Sequence, residues 1–229
     1  RCGPPSLSAL PGTRTSKLRR ACSLRSRALL PSHRVPLLTT MPDSSTRPYL
    51  GQGNRRPHSV GTVLRRWCWN GVQALLFRPS SSFAHRWRIW LLQRFGADIP
   101  SPATVRVFPN VRIVYPWKLR LEAHTLIGPG TLIYNLAPIT LCRGAQISRM
   151  AHLCAGSHDY RQWALPLDAR PIVIGENAWL GAEVFVGPGV TIGELCVIGA
   201  RSAVVKDQPP RMVCAGNPCR PVKERPEPI

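Results

Sequence analysis

Acidic side chains are scarce in this chain, with 11 Asp and Glu set against 31 Lys and Arg among 229 residues. The shortage is uneven. Residues 1–40 hold eight basic residues and no acid, residues 41–100 nine against two, and residues 101–229 fourteen against nine. The presumed core is therefore only mildly basic, and nucleic acid is not expected as a partner. No run of about 18 apolar residues occurs, which argues against a membrane-spanning helix. The basic start lacks the uninterrupted apolar stretch of a secretory signal. Eight cysteines, at 2, 22, 68, 142, 154, 196, 214 and 219, form no Cys-x-x-Cys pair and no Cys/His cluster with zinc spacing. Reduced thiols in a cytoplasmic protein, without a metal, are the expectation.

Composition divides what remains. Residues 1–59 read as a disordered basic tail. Within it, residues 1–40 lack acids and precede Met41-Pro42-Asp43, which resembles an initiation context. Residues 1–40 are thus expected to lie outside the working protein; an organelle transit peptide has a similar composition. Residues 60–96 turn apolar and aromatic with interleaved arginine, broken at Arg78-Pro79-Ser80-Ser81-Ser82, a pattern of two short helices. Phe83, Trp87, Trp90 and Leu91 are expected on one helical face, either packed on the neighbouring domain or resting on an anionic bilayer as a peripheral membrane contact.

Beyond Gly96 a period of six takes over. Ile174, Leu180, Val186, Ile192, Ile198 and Val204 follow one another without slippage, and glycine follows each of the first five. Small residues stand four places after the aliphatics, at Ala178, Val184, Val190, Cys196 and Ser202. Earlier, Leu121, Ile127, Ile133 and Ile139 keep the period, which resumes after a slip at Leu141, Ile147 and Leu153. Neither a helix nor an alternating strand has this period. A β-solenoid does, with short strands stacked coil on coil and each aliphatic pointing into a shared core. The glycines suit corners where a side chain would obstruct the turn. The solenoid is assigned to residues 97–208, with a projecting loop at 159–171 and an extension over 209–229. Cys196 is read as core filler.

The chain resembles the hexapeptide-repeat acyltransferases, whose fold is a left-handed parallel β-helix, and more narrowly the colanic-acid-biosynthesis acetyltransferase family. That closer likeness rests on Phe95-Gly96-Ala97, Tyr115-Pro116-Trp117, Gly156-Ser157-His158-Asp159-Tyr160, Phe185-Val186, Pro188-Gly189-Val190, Val205-Lys206-Asp207 and Ala215-Gly216-Asn217-Pro218. It spans roughly Val60 to Arg225. Cys142, Pro210-Arg211 and Cys219 depart from the family pattern.

The resemblance implies a homotrimer with active sites between subunits and direct acetyl transfer from acetyl-CoA to the hydroxyl of a sugar or glycan acceptor. His158 falls in the family's catalytic slot, and histidine suits the role of general base at neutral pH. Asp159 and Tyr160 follow as substrate or loop residues. Neighbouring side chains in extended backbone point apart, so Asp159 is expected to shape the loop rather than hold the imidazole. The resemblance implies coenzyme contacts at Trp179, Gly181, Ala200, Lys206, Arg220 and Arg225, with the basic residues, Lys223 among them, at the nucleotide end.

No Gly-x-Ser-x-Gly elbow is present, so a covalent acyl-enzyme is not suggested. Three alternatives remain open: a small hydroxylated acceptor such as an antibiotic or serine, a binding protein with an incidental histidine, and a zinc carbonic anhydrase using His124, His152 and His158.

Overall fold

The computed structural model describes residues 59–227. The readings for residues 1–58, the start at Met41 among them, lie outside the described residues.

From Arg106 the chain winds into a β-solenoid with three parallel walls. The first wall stacks Arg106–Val107, Leu126–Ile127, Gln146–Ile147, Trp179–Leu180, Val197–Ile198 and Met212–Ala215, and ends on the antiparallel strand Arg220–Glu224. The second wall stacks Arg112–Ile113, Leu132–Tyr134, His152–Cys154, Phe185–Val186 and Ala203–Val204. Leu119–Leu121, Ile139–Leu141, Ile172–Ile174 and Thr191–Ile192 form the third. All six aliphatics of the clean repeat are buried, as are the small residues that follow them. Burying each such aliphatic contributes roughly 1.5–3 kcal/mol. Exposed corner ion pairs such as Arg201–Glu183 contribute little by comparison, so the stacked core holds the fold together.

The earlier slip in the repeat is a change of coil length. Ile113 pairs with Ile133 and Ile133 with Leu153, a spacing of 20, whereas Val186 pairs with Val204 at a spacing of 18. In the longer coils, Leu119 and Leu121 both face inward, as do Ile139 and Leu141. The two additional residues are accommodated at the corner before each of these strands.

The glycines differ from the expectation in their purpose. The left-handed corner residues of the clean repeat are Asn177, Glu183, Gly189, Leu195 and Arg201, six apart with φ between 53° and 80°. Gly175 and Gly181 instead face the next coil. A Cβ on either would stand 2.7 Å from a main-chain nitrogen, that of Glu194 or Ala200. Close stacking of coils excludes side chains there.

Two helices cover the start of the solenoid. In α1 (Val60–Val72) the Ser59 hydroxyl caps the N–H of Thr62, and the helix widens into the turn Gln73–Phe77. Its inward stripe is Trp69, Gln73 and Phe77. Trp69 Nε1 donates to the Ile113 carbonyl at 2.6 Å, and Gln73 Oε1 accepts from the Ile113 N–H at 2.7 Å. These two bonds satisfy backbone groups of Ile113.

The second helix, α2 (His85–Arg94), does not pack its tryptophans on the neighbouring domain, the first of the two placements expected for that face, and Leu91 separates from them. Arg88, Ile89, Leu91 and Leu92 are buried, whereas Trp87 and Trp90 are exposed and Phe83 precedes the helix in solvent. Arg88 accounts for this. Its guanidinium donates to the carbonyls of Val107, Ser81 and Ser82 and to Ser80 Oγ, tying the serine-rich break to the first coil. With Arg88 fixed inward, helical spacing turns both tryptophans outward.

Candidate active site

At the corner between the second and third walls the third coil opens outward. Gly156–His158 and Leu167–Ala169 pair antiparallel as the two arms of a hairpin, with Leu167 opposite His158. The projecting unit therefore starts three residues before the expected loop and carries His158 on its first arm. The Ala155 N–H donates to the Tyr134 carbonyl, and Arg170 N–H to the Ala155 carbonyl, anchoring the hairpin base.

The His158 ring is held through one nitrogen. Nδ1 lies 2.6 Å from the carbonyl oxygen of Leu165. A carbonyl only accepts, so Nδ1 carries the proton and the neutral ring presents Nε2 as an acceptor. Leu165 itself has a left-handed φ of 45°. This is costly for a branched residue, and the surrounding loop over-determines it.

That surrounding is built on Asp159. Its carboxylate accepts from Arg161 Nε at 2.8 Å, Arg161 Nη2 at 3.1 Å, the Arg161 N–H at 3.1 Å and Gln162 Nε2 at 3.0 Å. Its main-chain N–H donates to the Pro166 carbonyl. The Arg161 side chain, then Gln162 and the Arg161 backbone, hold the Asp159 carboxyl far below the usual carboxylate range. All these donors belong to the loop, and Asp159 shapes the hairpin tip.

A cavity of about 830 Å³ opens beside the hairpin. His158, Tyr160, Arg161, Asp168 and Arg170 line it from the loop, and Phe185, Pro188 and Val205 from the second wall. Asp168 and Arg170 form an ion pair at 3.3 Å. Arg161, Asp168 and Arg170 went unread in the sequence as site residues, since nothing in their spacing separates them from solvated loop charges.

The remaining candidates lie elsewhere on the chain. Trp179 is half-exposed on the first wall and donates from Nε1 to Ser148 Oγ at 3.0 Å. Gly181 is buried against the next coil, and Ala200 is exposed at a corner. Lys206 is exposed and adjoins Val205 at the cavity edge. Arg220 begins the last strand of the first wall. Arg225 uses Nη1 to hold the carbonyls of Asn177 and Leu195, at 3.1 and 3.0 Å. One chain thus brings together His158, Asp159 and Tyr160, and separately spreads Trp179, Gly181, Ala200 and Arg220 along the first wall.

His124, His152 and His158 do not converge: His152 packs edge-on against Phe185 within the second wall, and His158 stands on the hairpin. Among the described residues no group of three His, Cys, Asp or Glu is placed to hold a metal, and no helix is long and apolar enough to cross a membrane.

Comparison with known proteins agrees with this architecture. The bacterial transferase hexapeptide family (six repeats) matches residues 171–206. The Escherichia coli K12 protein WcaF, assigned to colanic acid biosynthesis as an acetyltransferase, is 44% identical over 167 residues, 73% of this chain and 91% of its own length. A galactoside acetyltransferase solved with coenzyme A superposes with a TM-score of 0.64 at 26% identity, over 74% of this chain and 84% of that one. A hexapeptide-repeat acetyltransferase of Vibrio cholerae solved with acetyl-CoA gives 0.67 at 26% identity, over 78% and 96%.

Proposed function

We propose, for a chain that belongs to the hexapeptide-repeat acetyltransferases of the colanic-acid-biosynthesis family, that it moves the acetyl group of acetyl-CoA to a sugar hydroxyl with His158 as general base. The observation that carries this is the bond from His158 Nδ1 to the Leu165 carbonyl, which leaves Nε2 as the proton acceptor at the cavity. As the acceptor oxygen attacks the thioester carbon, Nε2 takes the hydroxyl proton; the C–S bond then breaks, and the imidazolium returns that proton to the departing sulfur. Backbone N–H groups would stabilise the oxyanion between the two steps. Asp159 keeps the loop in the form that presents Leu165, and Tyr160 borders the space for the acceptor.

Coenzyme A needs cations for its phosphates and an open edge for its amide arm. Lys206, Arg220 and the unused nitrogens of Arg225 offer the first, and Trp179, Gly181 and Ala200 the second. Within one chain the first-wall residues do not line the His158 cavity, which favours a homotrimer with each site between two subunits. A sugar acceptor in the assembly of a surface polysaccharide fits the names of the relatives. The six described cysteines are free thiols, in keeping with a cytoplasmic location where acetyl-CoA is at hand.

The test is incubation with acetyl-CoA and a panel of free, nucleotide-linked and lipid-linked sugars, following thiol release and product mass. Acceptor-dependent thiol release with one acetyl group gained on oxygen is expected. Thiol release with none of the sugars, or acetyl found on an amine, would overturn the sugar-hydroxyl reading.

A further inference from the structure

Helix α1 is apolar on two opposite sides. The side that faces the solenoid is accounted for by Trp69, Gln73 and Phe77. On the opposite side Val60, Leu64, Trp67 and Leu75 recur at helical spacing, with Trp67 74% and Leu75 75% exposed. An ordinary surface helix is polar there. The outer side of α2 continues the pattern. Trp87 and Trp90 stack with centroids 5.1 Å apart, and Trp87 Nε1 donates to the Leu76 carbonyl, which joins the pair to the end of the first helical segment. Phe83, 92% exposed, stands just before them.

Charge decides what this surface fits. Between Ser59 and Ala97 there are six arginines and no acid. Arg88 is buried, Arg65 lies over Trp117 and donates to the Phe95 carbonyl, and Arg66 donates to the Tyr115 hydroxyl. Arg78, Arg86 and Arg94 remain exposed, the last two on the tryptophan side of α2. A two-fold contact with a second copy would set these arginines against one another without a carboxylate between them, which disfavours it, and the head-to-tail contact of a trimer is distinguished by the subunit count measured below. An anionic bilayer offers what the surface lacks: phosphates for arginine and an interfacial layer for exposed tryptophan and leucine.

We propose that the outer face of the two N-terminal helices, built by Val60, Leu64, Trp67, Leu75, Trp87 and Trp90 with Arg78, Arg86 and Arg94, docks on the headgroup layer of an anionic membrane. The inference is independent of the acetyl-transfer reading, because none of these residues lines the His158 cavity.

The experiment is co-sedimentation of the full chain with vesicles of equal parts phosphatidylglycerol and phosphatidylcholine, and with phosphatidylcholine alone, at low and high salt. Binding to the anionic vesicles alone, weakening as salt rises, is expected. Brominated acyl chains should quench the tryptophan fluorescence of the bound protein. A Trp67→Ser/Leu75→Ser variant, with thermal unfolding as the check on its fold, should partition at least about tenfold less, since binding scales with the apolar area inserted. Three results would each overturn the proposal. Absence of quenching is one. Undiminished sedimentation of the double variant would place the binding elsewhere in the chain, and a changed subunit count in that variant would assign the face to a second copy.

Discussion

Between the strands of its second and third walls the solenoid makes four passages, before a last one that ends on the bridge of Gln208 to Ile192, and it turns that corner in different ways. After Ile113 the chain makes the short turn Pro116–Lys118, and after Tyr134 it passes through the buried residues Asn135 and Ala137. The third passage opens into the hairpin of His158, and the fourth, after Val186, carries no additional residues. The ladder is indifferent to these changes: Leu121 pairs with Leu141 and Leu141 with Ile174 whatever lies between the walls. A corner is therefore where this fold absorbs insertions without loss of core, and function can be built there on a rigid support. The second corner shows what a closed version requires. Asn135 is fully buried and takes the place of a ladder residue, its Nδ2 donating to the Tyr115 carbonyl at 2.6 Å and its Oδ1 accepting from the Tyr115 N–H at 2.9 Å. At the open corner the matching position is Ala155, which keeps the backbone ladder through its N–H to the Tyr134 carbonyl and its carbonyl to the Arg170 N–H.

The sharpest test of this contrast lies within the open corner. His158→Ala should lower kcat by roughly 10²–10⁴, the usual worth of a positioned general base, with the fold intact. Asp159→Ala should cost much less, since its carboxylate bonds only within the loop. Steady-state kinetics on both variants, with acetyl-CoA binding followed separately, decides the matter. Near-parental turnover in folded His158→Ala would remove the histidine from the chemistry, and equal losses in both would mean that loop shape alone had been measured.

At the closed corner the effect should fall on stability instead. Asn135→Ala removes two buried hydrogen bonds to the Tyr115 backbone, whose carbonyl keeps the Lys118 N–H as a partner, at a cost of about 0.5–1.5 kcal/mol for each bond lost. A lower midpoint in chemical unfolding, with kcat per folded molecule unchanged, is the expected outcome. If kcat falls as well, the hairpin depends on the corner beneath it, which the bond from Ala155 N–H to the Tyr134 carbonyl would transmit.

The same contrast explains what could be read from the sequence. The walls repeat, so inward Ile174, Leu180 and Val186 announced themselves by spacing, and so did the small residues at 178, 184 and 190. His158 stands out as a candidate in the sequence because it ends a repeat and because the surrounding motif matches a family, and the hairpin position adds its bond to Leu165. The corners do not repeat, so the roles of Asn135, Arg161 and Leu165 had no periodic signal; each depends on a partner placed by the three-dimensional turn. Arg88 was hidden for a related reason. A guanidinium satisfied by carbonyls, without a carboxylate, carries no charge pattern that a sequence could display. Once it is placed inward, the outward tryptophans follow.

The smallest expected effect concerns the wall behind the open corner. His152 sits beneath Phe185 with ring centroids 5.4 Å apart, and its buried Nε2 has no hydrogen-bond partner among the described residues. Burial pushes its pKa below the ordinary histidine value. A histidine whose folded pKa lies below its unfolded one favours folding in the neutral form. That contribution is complete above the unfolded value of about 6.5 and is lost as pH falls below it toward the folded value. Phe185 also lines the cavity beside His158, so charging His152 strains the wall that supports the site. Replacement by leucine keeps an apolar filler and removes the titration. The loss of unfolding midpoint between pH 7 and pH 5 should therefore be smaller in His152→Leu than in the parent, the difference isolating this ring from the other groups that titrate. Parallel curves for the two proteins would show that His152 charges as readily in the folded wall as in the unfolded chain.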